Sequence, residues 1–467
     1  MRNVNKIFFG NKWNKSNSLS YFYTKSHKNK KFYYPDCSTV DLNNSIASAK
    51  KGLNENSKLD NNFRSKFLRK VSKIMRINSK YLAKLESLET GKNFKQALKE
   101  INHCIELWSY ASKIAKTYNE NYSLDKKHKG LVRYEPVGIV GLIIPWNYPL
   151  IVTSERLPFI LAAGNSVIIK PSEHASQSII YLIKILFKSG LPKGVVNLIF
   201  GKGERIGKKL VINNQIRMIS FTGSTSSGKK IMEMSSNKIK RLSLELGGKN
   251  PIIVFSDANL KKTVKIVIKS FTANAGQACV ATSRLLIDEK IKKNFIKKLI
   301  DELNKLKSIR SLYGPISNQM QYERIINFLK KTQQLQKKLI YGNLKNFKNN
   351  LIGPIIFLDL PRNHVLVKSE IFGPILTINS FKNENDALKL TNDTNYGLSA
   401  VICGKNEKRN ISFANKIEAG RIWINESIDK NYPVLPIGGF KESGLNRECG
   451  KDAIKNYSEI KSIIIKK

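Results

Sequence analysis

Acidic residues are scarce in this chain. Its 467 residues include 35 Asp and Glu against 81 Lys and Arg, which gives a formal net charge of +46. Such a charge would suit a polyanionic partner. However, the lysines are spread from end to end, outnumber the arginines and accompany abundant Asn and Ile, whereas nucleic-acid grooves favour clustered Arg with interleaved aromatic residues. We therefore attribute the charge to a general bias in residue usage and expect no nucleic-acid partner.

Cysteine and histidine are also rare. The five cysteines are odd in number and widely spaced, without any CxxC pair, and the five histidines are equally dispersed. This pattern excludes a disulfide framework and favours a reducing compartment, so we expect a cytoplasmic location. No histidine lies beside the cysteine motif described below, and we expect no metal site.

Long apolar runs are missing as well. The longest run, at 137–146, is about half the length of a membrane-spanning helix and is interrupted by Pro145, so we expect no membrane span. Residues 1–35 contain no acid and superficially resemble an organellar presequence. The segment 7–13, however, has the pattern of strand, turn and strand, which favours folded structure there.

Strands and helices alternate along most of the chain. A chain of 467 residues with 41% apolar residues is expected to form two or three domains. Alternation over 138–246, and again from 252 onwards, predicts two parallel sheets with helices on both faces. The segment 41–52 predicts a short helix between Asp41 and Gly52. Residues 60–118 predict two or three helices, and 460–465 predicts a lone strand that needs a partner.

One cysteine and one glutamate lie in runs of small residues. Cys279 lies in the run 273–280 (ANAGQACV), and Glu245 lies in the run 244–251 (LELGGKNP). A thiol nucleophile and a carboxylate base in such surroundings suit a reaction with a covalent thioester step. Taken singly, Cys279 is better explained as an inert buried cysteine and Glu245 as a solvated surface glutamate. Their combination with the segments described below favours the catalytic interpretation.

Two further segments suit a nucleotide cofactor. The run 221–228 (FTGSTSSG) follows a predicted strand and precedes a helix predicted from Gly228, so its backbone amides can bind a pyrophosphate. The glycines of 201–207 are spaced one residue too widely for the dinucleotide fingerprint and also suit a plain tight turn.

Lys170 and Glu173 end another predicted strand, where ribose hydroxyls are bound in open α/β sheets. A carboxylate at Glu173 would repel a 2′-phosphate, so NAD is predicted and NADP is disfavoured. An ordinary ion pair between the two residues is the alternative.

Seven motifs in order identify a resemblance that covers nearly the whole chain. They are PWNYP (145–149), KPSE (170–173), FTGST (221–225), LELGGK (244–249), GQAC (276–279), EIFGP (370–374) and PIGGFKESG (436–444). In this set and order the chain resembles the non-acylating, NAD(P)-dependent members of the aldehyde dehydrogenase superfamily.

The resemblance implies an α/β fold with two open parallel-sheet domains and a small β oligomerisation element. By matched position, the NAD-binding domain would comprise 1–117 and 137–247, and the catalytic domain 248–450. The oligomerisation element would comprise 118–136 and 451–467. A homodimer or homotetramer is therefore expected.

The resemblance also implies roles for individual residues. Cys279 would be the nucleophile, Glu245 the general base, and Asn147 together with the Cys279 amide the oxyanion hole. Because CoA-acylating relatives commonly lack the base, Glu245 favours hydrolysis to the acid. A catalytically idle relative is the rival reading, but every catalytic position is filled. The implied cofactor-binding residues are Trp146, Lys170, Ser172, Glu173, Gly203, Gly207, Phe221, Gly223, Ser224, Leu246, Glu370 and Phe372.

The implied substrate residues are Tyr148, Glu155 and Ile437. Glu155 occupies a position where the family commonly has an aromatic residue or an arginine. Its carboxylate would repel an anionic aldehyde and attract an amino-aldehyde, unless it pairs with Arg156 or a lysine. Neither Ile437 nor Asn431 builds an aromatic cage, so betaine aldehyde is not favoured.

Overall fold

The computed structural model describes residues 4–26, 30–115, 120–306, 308–345 and 347–467. The strands are β1 (Ile7–Phe9), β2 (Lys12–Asn14), β3 (Tyr21–Lys25), β4 (Lys31–Pro35), β5 (Glu120–Ser123), β6 (His128–Pro136), β7 (Ile139–Ile143), β8 (Ser166–Lys170), β9 (Val196–Leu198), β10 (Ile216–Thr222), β11 (Arg241–Glu245), β12 (Asn250–Val254), β13 (Thr282–Asp288), β14 (Leu339–Tyr341), β15 (Ile355–Leu358), β16 (Ile375–Phe381), β17 (Tyr396–Gly397), β18 (Ser399–Cys403), β19 (Arg421–Ile424), β20 (Phe440–Lys441), β21 (Gly444–Leu445) and β22 (Ser458–Lys466). The helices are α1 (Thr39–Lys58), α2 (Asn61–Ile77), α3 (Ser79–Thr90), α4 (Phe94–Ile114), α5 (Pro149–Ser154), α6 (Leu157–Ala162), α7 (Gln177–Lys188), α8 (Lys208–Ile212), α9 (Thr225–Ser236), α10 (Leu260–Thr272), α11 (Lys292–Asn304), α12 (Gln319–Lys330), α13 (Val365–Lys368), α14 (Glu384–Asn392), α15 (Glu407–Ala414) and α16 (Ala453–Asn456).

The first sheet has eight strands in the order β2-β1-β9-β8-β7-β10-β11-β21. The five strands from β9 to β11 run parallel, so their carboxyl ends share one edge. The chain moves from β7 outwards on one side through β8 and β9, and on the other side through β10 and β11. The order therefore reverses between β7 and β10, which is the place where open α/β sheets bind ligands.

The second sheet has seven strands in the order β14-β15-β16-β13-β12-β18-β19, all parallel except the β14–β15 pair. A short linker joins the carboxyl end of β11 to the amino end of β12. This linker therefore places the carboxyl edge of the first sheet against the amino edge of the second. The two parallel sheets confirm the predicted fold class.

The predicted lone strand finds its partner in a small three-stranded sheet. β22 pairs antiparallel with β6 over nine residue pairs, and β5 pairs with the other edge of β6. The domain boundaries remain a prediction, and residues 1–3, 27–29, 116–119, 307 and 346 of the predicted segments lie outside the described residues. A strand pairing crosses the predicted boundary between the NAD-binding and catalytic segments, because β21 of the catalytic segment pairs with β11.

The helix predicted at 41–52 is longer than expected. α1 begins after Ser38, whose side chain accepts a hydrogen bond from the Asp41 amide, while the Asp41 carboxylate accepts one from the Ser38 amide. Gly52 lies inside the helix and does not end it. A Cβ at Gly52 would lie 2.2 Å from the carbonyl carbon of Gly194, so the glycine allows a close contact between helix and loop.

The helical segment between 60 and 115 matches expectation, since α2, α3 and α4 account for it. The N-terminal strand pair is also confirmed by β1 and β2, which pair antiparallel. Within the described ranges, no helix combines the length and apolar character needed to cross a membrane.

Candidate active site

The loop that carries Cys279 has an unusual backbone. Asn274, Ala275 and Gly276 follow one another with φ values of 49°, 59° and 72°. A Cβ at Gly276 would lie 2.1 Å from the carbonyl oxygen of Gly373, so only glycine fits there. This contact joins the Cys279 loop to the EIFGP motif.

Cys279 lies just before β13, between the two sheets. Of the five cysteines, all within described ranges, it is the one that is not fully buried. Its carbonyl oxygen accepts a hydrogen bond of 2.7 Å from Asn250 Nδ2. Burial, followed by the carboxylate of Glu245, raises the pKa of the Cys279 thiol to about 12. The sulfur therefore carries a proton, which a base must accept when the sulfur attacks a substrate.

Asn147 is buried beside this loop. It follows β7, and its Nδ2 donates a hydrogen bond of 3.0 Å to the carbonyl oxygen of Gln277. Its side chain is thereby attached to the Cys279 loop two residues before the thiol. A primary amide carries a second N–H, so the same nitrogen has the chemistry needed to donate to an oxyanion.

Glu245 is the last residue of β11 and is 5% exposed. Burial raises the pKa of Glu245 to about 8, and the guanidinium of Arg156 opposes this shift. The group is therefore mostly protonated at neutral pH and becomes a carboxylate in mildly alkaline solution. Because the Glu245 carboxylate raises the pKa of the Cys279 thiol, the two side chains lie close enough to act in one site.

Arg156 forms an ion-pair cluster with two carboxylates. It is 1% exposed, with one terminal nitrogen 3.3 Å from Glu155 Oε2 and Nε 3.7 Å from Glu448 Oε1. The pair with Glu155 is the alternative that the sequence left open for that residue. Sequence reasoning missed Glu448, which lies far along the chain in a segment with no matched motif.

The KPSE motif (170–173) lies beside Gly207, the last glycine of the segment 201–207. Lys170 ends β8, is 2% exposed and lies with Nζ 3.4 Å from Glu173 Oε2. A Cβ at Gly207 would lie 3.6 Å from Lys170 Cε, whereas Gly203 has open space around it. The Ser172 hydroxyl accepts from the His174 amide at 3.2 Å and stabilises the turn.

The FTGST motif forms the start of α9 at the reversal of strand order. The helix begins at Thr225, three residues before the predicted start at Gly228. Because α9 begins earlier than predicted, its first turn lies next to the end of β10. The Ser224 side chain caps it by accepting from the Ser227 amide at 3.2 Å. Capping by Ser224 explains the earlier start of the helix. The sequence did not reveal it, because each Ser and Thr in this run could serve as the capping residue.

This segment fits an anionic cofactor group. The buried Thr222 Oγ1 has no hydrogen-bond partner among the described residues. A Cβ at Gly223 would lie 2.4 Å from the ring of Phe221, so the glycine keeps the backbone close to that ring. An unpaired hydroxyl, a glycine and a helix start together suit a phosphate group.

The remaining predicted cofactor residues lie where the two sheets meet. Glu370 Oε1 accepts a hydrogen bond of 3.0 Å from the Gly248 amide, and burial raises the pKa of Glu370. Trp146 and Phe372 pack edge to face with ring centroids 5.6 Å apart. Leu246 packs against α9, since a Cβ at Gly228 would lie 2.6 Å from one of its methyl carbons.

The predicted substrate residues are held by neighbours that the sequence did not suggest. Burial raises the pKa of Tyr148, and the ammonium of Lys92 lies 4.0 Å from its ring centroid. Ile437 exchanges two backbone hydrogen bonds of 2.7 Å with Glu448.

Arg421 holds Asn431, the polar residue considered above together with Ile437. It donates a bond of 2.7 Å to Asn431 Oδ1 and bonds of 3.1 Å to the carbonyls of Leu435 and Pro436. Across the part of the chain that the structure describes, no cluster of three or more His, Cys, Asp or Glu side chains suits a metal ion.

Comparisons with known proteins agree with this geometry. Residues 13–463 match the model of the aldehyde dehydrogenase family. Aldehyde dehydrogenase [NAD(P)+] 2 of Saccharomyces cerevisiae is 36% identical, over 87% of this chain and 84% of its own length. Betaine aldehyde dehydrogenase of Bacillus subtilis is 33% identical, over 91% and 89%. The crystal structure of an NAD-dependent aldehyde dehydrogenase from Sinorhizobium meliloti superposes with a TM-score of 0.96 at 32% identity, over 100% of this chain and 95% of that one.

Proposed function

The chain belongs to the aldehyde dehydrogenase family and oxidises an aldehyde to a carboxylic acid with a nicotinamide cofactor, and we propose that Cys279, Glu245 and Asn147 carry the chemistry. The observation that supports these roles best is the 3.0 Å hydrogen bond from Asn147 to Gln277, because it ties the oxyanion donor to the loop of the nucleophile. The test is NADH formation across short aliphatic, aromatic, acidic and amino aldehydes, with either cofactor.

The Cys279 thiol releases its proton to solvent, and the sulfur attacks the aldehyde carbon to form the thiohemiacetal, whose oxygen first carries the negative charge. The charge that develops on the carbonyl oxygen is stabilised by the Asn147 side chain and the Cys279 amide. Losing one such donor typically costs about 2.7–4 kcal/mol in the transition state. Glu370 and Phe372 would hold a nicotinamide ring, which would supply the acceptor for the hydride that leaves the former aldehyde carbon. Loss of this hydride would leave a thioester on Cys279.

Glu245 completes the cycle. As a carboxylate it takes a proton from water, and the resulting hydroxide attacks the thioester, releasing the acid and the Cys279 sulfur. Its pKa of about 8 suits a base that works near neutral pH. The positive charge of Arg156 stabilises the carboxylate form of Glu245.

NAD is the proposed cofactor, with NADP disfavoured. Although burial opposes it, the ammonium of Lys170 holds the pKa of Glu173 below its usual range, so Glu173 is negatively charged. A negative charge at the ribose would repel a 2′-phosphate. The other proposed cofactor-binding residues lie at the carboxyl edge of the first sheet and where the first sheet meets the second.

Glu173→Ser is expected to raise the ratio of kcat/KM with NADP to that with NAD by about tenfold, which corresponds to ~1.4 kcal/mol. The physical reason is the loss of the repelling carboxylate. Glu233→Ser, which removes an exposed acid farther along α9, serves as the control and should leave the ratio unchanged. Equal efficiency with both cofactors in the parent protein would contradict the role of Glu173.

We propose that Glu155 contributes to the aldehyde site and favours amino-aldehydes over acidic ones. Glu155 raises the pKa of Cys279, which supports a position near the reacting carbon. Arg156 is shared between Glu155 and Glu448, so one positive charge is opposed by two negative ones.

Glu155→Gln is expected to lower the ratio of kcat/KM for an amino-aldehyde to that for succinate semialdehyde by about tenfold, as expected for one modest charge contact. Glutamine keeps the shape of the side chain and adds no charge beside Arg156. An unchanged ratio in a folded variant would mean that the ion pair with Arg156 has already removed Glu155 from substrate recognition.

We propose further that the protein is a cytoplasmic homodimer or homotetramer. β22 is an edge strand with exposed Ile460, Ile463 and Ile464, a surface that sheet proteins normally cover. Five free cysteines suit a reducing compartment. Sedimentation or light scattering gives the subunit number, and a monomer at micromolar concentration would contradict the proposal.

A further inference from the structure

A lysine that no matched motif contains lies directly behind the oxyanion donor. Lys92 follows Gly91, whose left-handed conformation (φ 79°) ends α3 and turns the chain inwards. Its side chain is fully shielded from solvent. Nζ donates 2.8 Å to the carbonyl oxygen of Asn147 and lies 4.0 Å from the ring centroid of Tyr148. The ammonium therefore contacts two successive residues of the PWNYP motif.

Two buried carboxylates balance this charge. Lys92 Nζ lies 2.6 Å from Glu100 Oε2 and 3.9 Å from Glu86 Oε2. Glu86 also accepts a hydrogen bond of 3.1 Å from the Leu150 amide. The turn after β7 is thus held by Lys92 at the carbonyl of Asn147, and the first turn of α5 is held by Glu86 at the amide of Leu150.

The same network reaches the Cys279 loop and closes on itself. Asn147 Nδ2 donates to the Gln277 carbonyl, and Gln277 Oε1 accepts from the Ser317 amide at 2.9 Å. The Ser317 hydroxyl donates 2.8 Å to the carbonyl of Thr90, two residues before Lys92. A displacement at Lys92 is therefore transmitted to Asn147 and, through it, to the loop of the nucleophile.

We propose that Lys92 is a positioning residue for the reaction, which fixes Asn147 so that its side-chain amide meets the oxyanion formed at Cys279. The proposal rests on the function proposed above, because it needs Asn147 as the oxyanion donor. Lys92 itself touches no reacting atom. Its effect is on the rate of acylation, since a displacement of about 1 Å in such a group can cost about a hundredfold.

The chain offers a matched control in Lys240. This lysine is also buried and donates to two backbone carbonyls, those of Asn213 and Ile216, but it lies just before β11, at the opposite end of that strand from Glu245. Replacing it by methionine removes a buried ammonium that, like Lys92, donates to backbone carbonyl oxygen, but that has no contact with Asn147. A purely structural effect of losing a buried lysine should therefore appear in both variants.

The test measures the rate of the NADH burst in a single turnover. Lys92→Met is expected to slow it about a hundredfold while the Kd for NAD stays within about twofold of the parent value, and Lys240→Met is expected to leave the burst rate unchanged. If the uncompensated carboxylate of Glu100 prevents folding of the single variant, Lys92→Met/Glu100→Gln replaces it. An unchanged burst rate in either folded Lys92 variant would overturn the proposal.

A double-mutant cycle with Asn147→Ala separates positioning from general damage. If Lys92 acts through Asn147, adding Lys92→Met to Asn147→Ala should slow acylation by less than about threefold. A full, additive loss in that background would overturn the role of Lys92 and leave the role of Asn147 intact. An unchanged burst rate in Asn147→Ala alone would instead refute the oxyanion assignment, and the role of Lys92 with it.

Discussion

Cys279→Ala is expected to abolish aldehyde oxidation while NAD binding stays nearly intact. Cys279 is the one cysteine not fully buried, and it lies on the loop that Asn147 contacts. The proposed cofactor residues lie on other segments, so the substitution leaves their positions unchanged. Steady-state NADH formation should fall below about a thousandth of the parent rate, and a fluorescence titration should give a Kd for NAD close to the parent value.

Cys449→Ala is the matched control. Cys449 is buried, and its Sγ lies 3.8 Å from the carbonyl oxygen of Glu155, so it is the other thiol close to the cluster around Arg156. This variant should keep most of the parent activity. Residual oxidation well above a thousandth in Cys279→Ala, or loss of activity in Cys449→Ala alone, would remove Cys279 from its role as the nucleophile.

Glu245→Gln is expected to spare the first turnover and to slow the second by about a hundredfold or more, which is the usual contribution of a general base. Glutamine keeps the shape of the side chain but cannot take a proton from water. Stopped-flow traces should show a burst of NADH close to one per active site, followed by a slow phase. Loss of the burst together with the steady rate would mean that Glu245 acts earlier, in taking the proton from Cys279.

The pH profile gives an independent check of the same residue. Because the pKa of Glu245 is raised to about 8, the active carboxylate form increases as the solution becomes more alkaline. The deacylation rate of the parent should therefore rise between about pH 7 and about pH 9, and level off above the pKa. In Glu245→Gln the slow phase should be nearly independent of pH over that window.

Local patterns predicted most of the sheet architecture. The two predicted parallel sheets are present, and the lone C-terminal strand pairs with β6. The main errors concern where helices begin and end. Glycine is common at helix ends, which is why Gly52 was predicted to end the helix. In the structure it lies inside α1, where the lack of a side chain lets the loop at Gly194 pack closely against the helix. A close contact between distant segments leaves no trace in the spacing of apolar residues.

The site was predictable only where residue type and motif agree. Cys279, Glu245 and Asn147 belong to matched motifs, and the structure brings their segments together. Arg156 and Lys92 are buried charges whose partners include residues distant in sequence, Glu448 for Arg156 and Asn147 for Lys92. In the sequence they look like two of the many basic residues of a highly basic chain, so their burial and pairing emerge only from the fold.

The central claim, a thioester on Cys279 during aldehyde oxidation, is tested most directly by mass spectrometry of Glu245→Gln. The variant is mixed with NAD and a short aliphatic aldehyde, quenched with acid during the slow phase, digested and mapped. We predict that the peptide carrying Cys279 gains the mass of the acyl group, in an amount that matches the NADH burst. A burst without any acyl adduct, or an adduct on Cys449 instead, would contradict the account.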